Sequence, residues 1–149
     1  MTKILMVCLG NICRSPLAEG ILKSKVDRSK VFVDSAGTGG YHVGEPPDKR
    51  SIEAAMSRGI DISGQRCRKF SKVDFRDFDL IFAMDRNNYH DILKQAETEE
   101  DRQKVHLLLD LIDIGVQEVP DPYYGGKRGF EDVYGMIDQA CTALIAKLN

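Results

Sequence analysis

No run of apolar residues in this 149-residue chain approaches the roughly 18–20 needed to span a bilayer, so no membrane insertion is expected. The apolar start, Met1 to Val7, is too short for a signal-peptide core, and no small-residue cleavage site follows it. These features read as a cytoplasmic protein. Neither sign of charge dominates: 21 basic residues face 23 acidic ones, a net charge of −2. That balance argues against a constitutive nucleic-acid binder. Cysteine is sparse, with Cys8, Cys13, Cys67 and Cys141 only, and a chain that is 42% hydrophobic can build a core without disulfide staples. The histidines His42, His90 and His106 are scattered, and Cys8 and Cys13 have no partnered second pair, so a zinc site lacks a ligand set. Repeats, low-complexity tracts and linkers are also missing, which leaves one domain over residues 1–149 as the expectation.

What is present alternates between two periods. Lys3 to Val7 is a short run apolar on both faces, as in a central parallel strand. Ser15-Pro16, with Glu19 in the first turn, reads as the start of a helix whose apolar face is Leu17, Ile21 and Leu22. Val31 to Gly37 is a second strand, Thr38 to Pro47 a loop, and Pro47 to Arg58 a helix. Asp79 to Met84 is a third strand and Arg86 to Gln95 a helix. Val105 to Leu109 is a fourth strand, and Pro120 to Gly126 a loop. Phe130 to Leu148 repeats apolar residues near the helical period. Strands alternating with helices predict a four-stranded parallel sheet covered on both faces, an α/β doubly wound, flavodoxin-like fold. In such folds ligands bind along the edge where the strands end.

The loop after the first strand, Cys8-Leu9-Gly10-Asn11-Ile12-Cys13-Arg14-Ser15, lies at that edge and opens onto a helix N-terminus. Backbone amides there have no intrahelical partner, and the helix dipole is positive. Gly10 and Asn11 both tolerate positive φ, so the loop can curl its amides into an anion nest. Arg14 adds a planar fork for two phosphate oxygens. The field that holds an anion also favours a thiolate at Cys8, placed for in-line attack on phosphorus, with Ser15 in reach of the sulfur. The loop is not a Walker A motif, which needs Gly-Lys-Ser/Thr, and a nucleotide triphosphatase is disfavoured. Taken alone, a Cys six residues before an Arg also fits a buried thiol and a surface cation; the placement between strand and helix favours chemistry.

Cleaving a phosphate ester also needs a proton for the leaving oxygen. Asp121, in Pro120-Asp121-Pro122-Tyr123-Tyr124, is the candidate acid, although an Asp-Pro turn explains the same residues. The neighbouring Tyr123 and Tyr124 could wall a groove for a flat substrate.

The segment from Cys8 to Glu19, together with Asp121-Pro122-Tyr123-Tyr124, resembles the low-molecular-weight protein tyrosine phosphatases. Ser35-Ala36-Gly37-Thr38 and Ala83-Met84-Asp85 match in the expected order, so the resemblance covers essentially the whole chain. It implies hydrolysis of phosphotyrosine in proteins, and of small aryl phosphates, through a phosphocysteine, with inorganic phosphate as product and no cofactor or metal. By position it implies Cys8 as nucleophile, Arg14 as phosphate clamp and Asp121 as acid and then base. Ser15 would support the thiolate, and Asn11, backed by Ser35, would fix the loop formed with Leu9, Gly10, Ile12 and Cys13. Leu9, Tyr41, Tyr123 and Tyr124 would line the substrate cleft. One departure is visible: Gln65 stands where many members carry a His thought to brace the first helix through the residue matching Glu19, and Gln cannot supply that cation.

Three other readings share these residues. A phosphoarginine phosphatase typically carries Thr in place of Ile12 to orient water at a more polar site. An arsenate reductase needs a downstream cysteine pair, and Cys67 and Cys141 are far apart in sequence. A non-catalytic phosphotyrosine-binding or redox-sensing module would lack the nucleophile or the acid, yet both candidates are present. Cys13 reads either as a small buried hydrophobe or as a thiol that traps oxidised Cys8 in a reversible disulfide.

Overall fold

The computed structural model describes residues 1–123 and 127–148. Its centre is a four-stranded, all-parallel sheet in the order β2-β1-β3-β4. The strands are β1 (Thr2–Cys8), β2 (Val31–Gly37), β3 (Leu80–Ala83) and β4 (Val105–Leu107). The helices are α1 (Arg14–Lys25), α2 (Lys49–Met56), α3 (Val73–Asp77), α4 (Arg86–Leu93), α5 (Glu99–Gln103) and α6 (Lys127–Leu148).

The apolar run in β1 is buried on both faces because its alternate side chains enter different cores. Ile4, Met6 and Cys8 point into a core shared with Leu17, Ile21 and Leu22 of α1 and Val133, Ile137, Cys141 and Leu144 of α6. Leu5 and Val7 point to the opposite core, with Phe75, Phe78, Ile81 and Ile92. The sheet is thus covered by α1 and α6 on one side and by α3 and α4 on the other.

Several expected boundaries shift. Helix α1 begins at Arg14, before Ser15, and places Pro16 in its first turn, where a missing N–H costs nothing. Glu19 therefore lies in the second turn, not the first. The fourth strand stops at Leu107 and a 3₁₀ turn follows over Leu108–Leu111. Val105 and Leu107 face one core, whereas Leu108 and Leu109 both enter the other. Two successive residues on one side are incompatible with a strand's period of two, so the chain turns. The short helices α3 and α5 were not expected from the sequence.

The order β2-β1-β3-β4 sends the chain one way from β1 and then back across it to β3. The loops that leave β1 and β3 therefore part at a switch point, the position at which open α/β sheets hold ligands.

Candidate active site

The loop between β1 and α1 is shaped by Asn11, whose φ is +57°, the left-handed region that Asn enters more readily than most residues. Each polar group of its side chain is used. Nδ2 donates to Ser15 Oγ (2.7 Å) and Ser35 Oγ (3.0 Å), while Oδ1 accepts from the Arg68 amide (3.0 Å). Its carbonyl accepts from the Cys67 thiol at 2.8 Å. Of the two loop residues that tolerate positive φ, Asn11 takes it and Gly10 does not.

Most of the other loop carbonyls are also held from outside. Thr38 and Gly39 amides donate to the carbonyls of Cys8 and Leu9 (both 2.9 Å), and the Asp48 amide donates to that of Ile12 (2.8 Å). Ser51 Oγ donates to the Cys13 carbonyl at 3.3 Å. Among the described residues, the amides of residues 9–14 find no acceptor. A loop with its carbonyls tied outward and its amides unspent, leading into a helix N-terminus, has the character of an anion site.

Cys8 forms the floor, with Sγ 3.0 Å from Ser15 Oγ. Arg14 is buried beside it. Its Nη1 donates to Asp85 Oδ2 (2.7 Å) and to the Val119 carbonyl (2.9 Å), and its Nη2 lies 3.8 Å from Asp121 Oδ2. Burial alone would pull the guanidinium pKa down. Cys8, Asp85 and Asp121 outweigh that and raise it above the ordinary arginine value, so Arg14 is a fixed cation. Asp121 is 43% exposed and its Oδ1 accepts from the Tyr123 amide at 3.0 Å, an Asx turn that holds the carboxylate at the cavity mouth.

The cavity has a volume of about 320 Å³. Cys8, Ile12, Cys13 and Arg14 line its interior, and Leu9, Tyr41, Asp121 and Tyr123 its walls. The structure thus brings together every expected site residue that it describes, with Ser35 and Ser15 behind the loop. Tyr124 lies outside the described residues. Cys13 packs with Ala54 and Phe130, and burial, with Asp48 and Cys8 nearby, pushes its thiol up to about 12. All four cysteines are free. Among the described residues no three His, Cys, Asp or Glu side chains gather as a metal site.

Sequence reasoning missed several neighbours. Asp85 at once anchors Arg14 and caps α4, accepting from the Asn88 amide at 2.8 Å. Its position just beyond a strand end was the available signal. His42 lines the cavity and bonds Glu45 at 2.6 Å. Arg50 sits over the Tyr123 ring, 5.4 Å from its centroid. Cys67 reaches the loop from a distant segment, which no spacing announces. Gln65 does not touch Glu19: its Nε2 donates to the Pro16 carbonyl (3.1 Å), and Lys23 supplies the cation instead, 2.5 Å from Glu19 Oε2.

An amide-lined loop at the switch point of a parallel sheet, with a thiol at its floor and an arginine at its side, gives this α/β protein the form of an anion site. Comparison with known proteins narrows that class. The family model for low molecular weight phosphotyrosine protein phosphatase matches residues 3–149. A low molecular weight phosphotyrosine protein phosphatase of Schizosaccharomyces pombe is 43% identical over 143 residues, covering 90% of each chain. The low molecular weight protein-tyrosine-phosphatase YfkJ of Bacillus subtilis is 39% identical, covering 100% of this chain and 97% of its own. The crystal structure of a protein tyrosine phosphatase from Entamoeba histolytica, with Hepes in its active site, superposes with a TM-score of 0.94 at 42% identity, covering 99% of this chain and 97% of that one. The chain belongs to the low molecular weight phosphotyrosine protein phosphatase family.

Proposed function

We propose that the chain hydrolyses phosphotyrosine in proteins, and small aryl phosphates, through a phosphocysteine on Cys8. The observation that carries this reading is the convergence on one cavity of Cys8, the unspent amides of residues 9–14, Arg14 and Asp121.

The phosphoryl oxygens take the loop amides and the Arg14 fork, which stabilise the charge spread over them in the transition state. The Cys8 sulfur attacks phosphorus from below. The S–P bond forms as the P–O bond to the phenol breaks, and Asp121 gives its proton to the departing oxygen. Asp121, now ionised, takes a proton from a water that attacks the same phosphorus. The S–P bond breaks, and inorganic phosphate leaves. The Ser15 hydroxyl, 3.0 Å from the sulfur, donates to it as negative charge returns. The apolar side chain of Ile12 and the walls of Leu9, Tyr41 and Tyr123 suit an aryl group better than a guanidinium. A cleft that sets Cys8 at its floor favours the long phosphotyrosine over the short phosphoserine.

Parallel turnover of a phosphotyrosine peptide and a phosphoarginine peptide tests this, with Cys8→Ser as blank. The expected result is preference for phosphotyrosine and no turnover by the variant; turnover by Cys8→Ser removes the nucleophile. Asp121→Ala is expected to slow poor leaving groups at least tenfold more than good ones, and equal losses remove Asp121 as acid.

Oxidation is expected to act at the same site in the cytoplasm, where reductants restore thiols. Peroxide converts the Cys8 thiolate to a sulfenic acid. The Cys13 thiol then attacks that sulfur, water leaves, and an S–S bond forms. Burial keeps the Cys13 thiol protonated at neutral pH, which disfavours it as the group that peroxide oxidises first. Under sustained peroxide the parent enzyme should regain activity with dithiothreitol, whereas in Cys13→Ser a second peroxide carries the Cys8 sulfenic acid on to a sulfinic acid that dithiothreitol does not reduce; equal recovery removes Cys13 as the resolving thiol.

A further inference from the structure

We propose that Lys23 is a positioning residue for the reaction: by pairing with Glu19 it fixes a chain of side-chain hydrogen bonds that ends on the Cys8 sulfur. The inference rests on the reading of Cys8 as nucleophile.

The chain is continuous. Lys23 Nζ lies 2.5 Å from Glu19 Oε2, and Glu19 Oε1 accepts from Ser35 Oγ at 2.6 Å. Asn11 Nδ2 donates to both Ser35 Oγ (3.0 Å) and Ser15 Oγ (2.7 Å), and Ser15 Oγ is 3.0 Å from Cys8 Sγ. Its polarity is set by what each group can do. The Arg68 amide donates to the other end of the Asn11 side chain, which fixes that end as oxygen and Nδ2 as a donor only. Each serine hydroxyl accepts from Asn11 and has one proton left. The Ser35 proton goes to the Glu19 carboxylate. The Ser15 proton goes to sulfur, since its other acceptor, the Ala36 carbonyl, is at 3.5 Å.

Glu19 is thus required as an acceptor, although its side chain is only 5% exposed. A buried carboxylate needs a counter-charge. Lys23, one turn further along α1 and 32% exposed, supplies it in the favourable Glu-to-Lys direction. The two line a cavity of about 550 Å³ behind the loop, whose other charged groups are Arg28 and Asp61. Gln65 also lines it, but its Nε2 serves the Pro16 carbonyl and its Oε1 has no partner. Among the described residues, the partners of the Glu19 carboxylate are therefore Ser35 and Lys23 alone.

The test compares Lys23→Met, Lys23→Arg and Glu19→Gln with the parent. The readouts are kcat and KM on para-nitrophenyl phosphate and the pH midpoint of Cys8 alkylation by iodoacetamide. Lys25→Met is the control, because Lys25 makes a different ion pair from α1, to Asp138 on α6 at 2.9 Å. Lys23→Met and Glu19→Gln should lower kcat fivefold or more with KM within twofold, and raise the alkylation midpoint. Lys23→Arg should stay within twofold of the parent. Lys25→Met should leave the midpoint in place even where the melting temperature falls. A parent-like Lys23→Met, or a midpoint shift that Lys25→Met shares, overturns the proposal. Cys8→Ser separates the two readings: turnover by that variant overturns the nucleophile itself, whereas an inactive Cys8→Ser beside a parent-like Lys23→Met overturns the role of Lys23 only.

Discussion

Asn11 shows how much one side chain can decide. It makes the loop's left-handed step, and its polar atoms tie α1, β2 and the segment at Arg68 to one point. Asn11→Ala removes three hydrogen bonds and leaves a Cβ-bearing residue without local compensation at positive φ. At roughly 0.5–1.5 kcal/mol for each of the three bonds and about 1 kcal/mol for the backbone, the loss of stability is expected at about 2.5–5.5 kcal/mol. Urea unfolding measures it, and kcat should fall more than tenfold. A variant within about 0.5 kcal/mol of the parent would show that the loop holds its shape without this residue. Cys8, Asn11, Arg14 and Ser15 were legible in the sequence as a cluster because they fall in one loop placed between a strand and a helix N-terminus. Asp85, Cys67 and Lys23 were not. Asp85 and Cys67 act through contacts made only when distant segments fold together, and Lys23 acts through a glutamate whose own importance is spatial.

At the scale of elements, the site depends on how closely β2 passes the loop. A Cβ on Gly37 would lie 2.7 Å from the Leu9 carbonyl oxygen and 3.1 Å from the Asn11 amide nitrogen. These are backbone atoms, so no side chain can swing away to make room. Gly37→Ala is therefore expected to displace the loop, cutting kcat at least tenfold while the sheet, held by strands on either side of β1, still forms. Turnover on para-nitrophenyl phosphate beside a far-ultraviolet circular dichroism spectrum checks both halves; parent-like turnover would mean that the loop gives way easily. The parallel strands and the long helix α6 were legible from their periods, since each buries a face along its whole length. The ends were less so. Leu108 and Leu109 look like strand until two cores compete for them. Helix α5 buries no residue, and its one sequence signal is the cap at Thr98, whose Oγ1 accepts from the Asp101 amide at 3.1 Å. Helix α3 is a single turn that exists to seat Phe75, with Phe78 just beyond it.

For the molecule as a whole, the thiols other than Cys8 leave a mark on stability. Burial pushes Cys141, between α6 and α1, up to about 12. The same cause pushes Cys13 up to about 12 and Cys67 to about 11, against an ordinary value of 9.0. Above pH 9 the unfolded chain releases these protons while the folded chain retains them, so unfolding gains free energy from the alkaline medium. The stabilisation is fully present below about pH 9 and is lost as the pH rises towards 11–12. Each thiol adds at most about 1.4 kcal/mol per pH unit to that loss. Urea unfolding at pH 7, 9 and 10.5 should show a plateau and then a fall. Cys141→Ala, weaker at pH 7 by the cavity it leaves, should fall less steeply above pH 9 than the parent, because one of the three titrating groups is gone. Parallel slopes in the two proteins would mean that Cys141 ionises alike in both states. A steep fall that persists in the variant would then belong to Cys13, within the loop between β1 and α1, and Cys67, whose thiol donates to the Asn11 carbonyl of that loop. In that case alkaline loss of stability and alkaline loss of the site would share one cause.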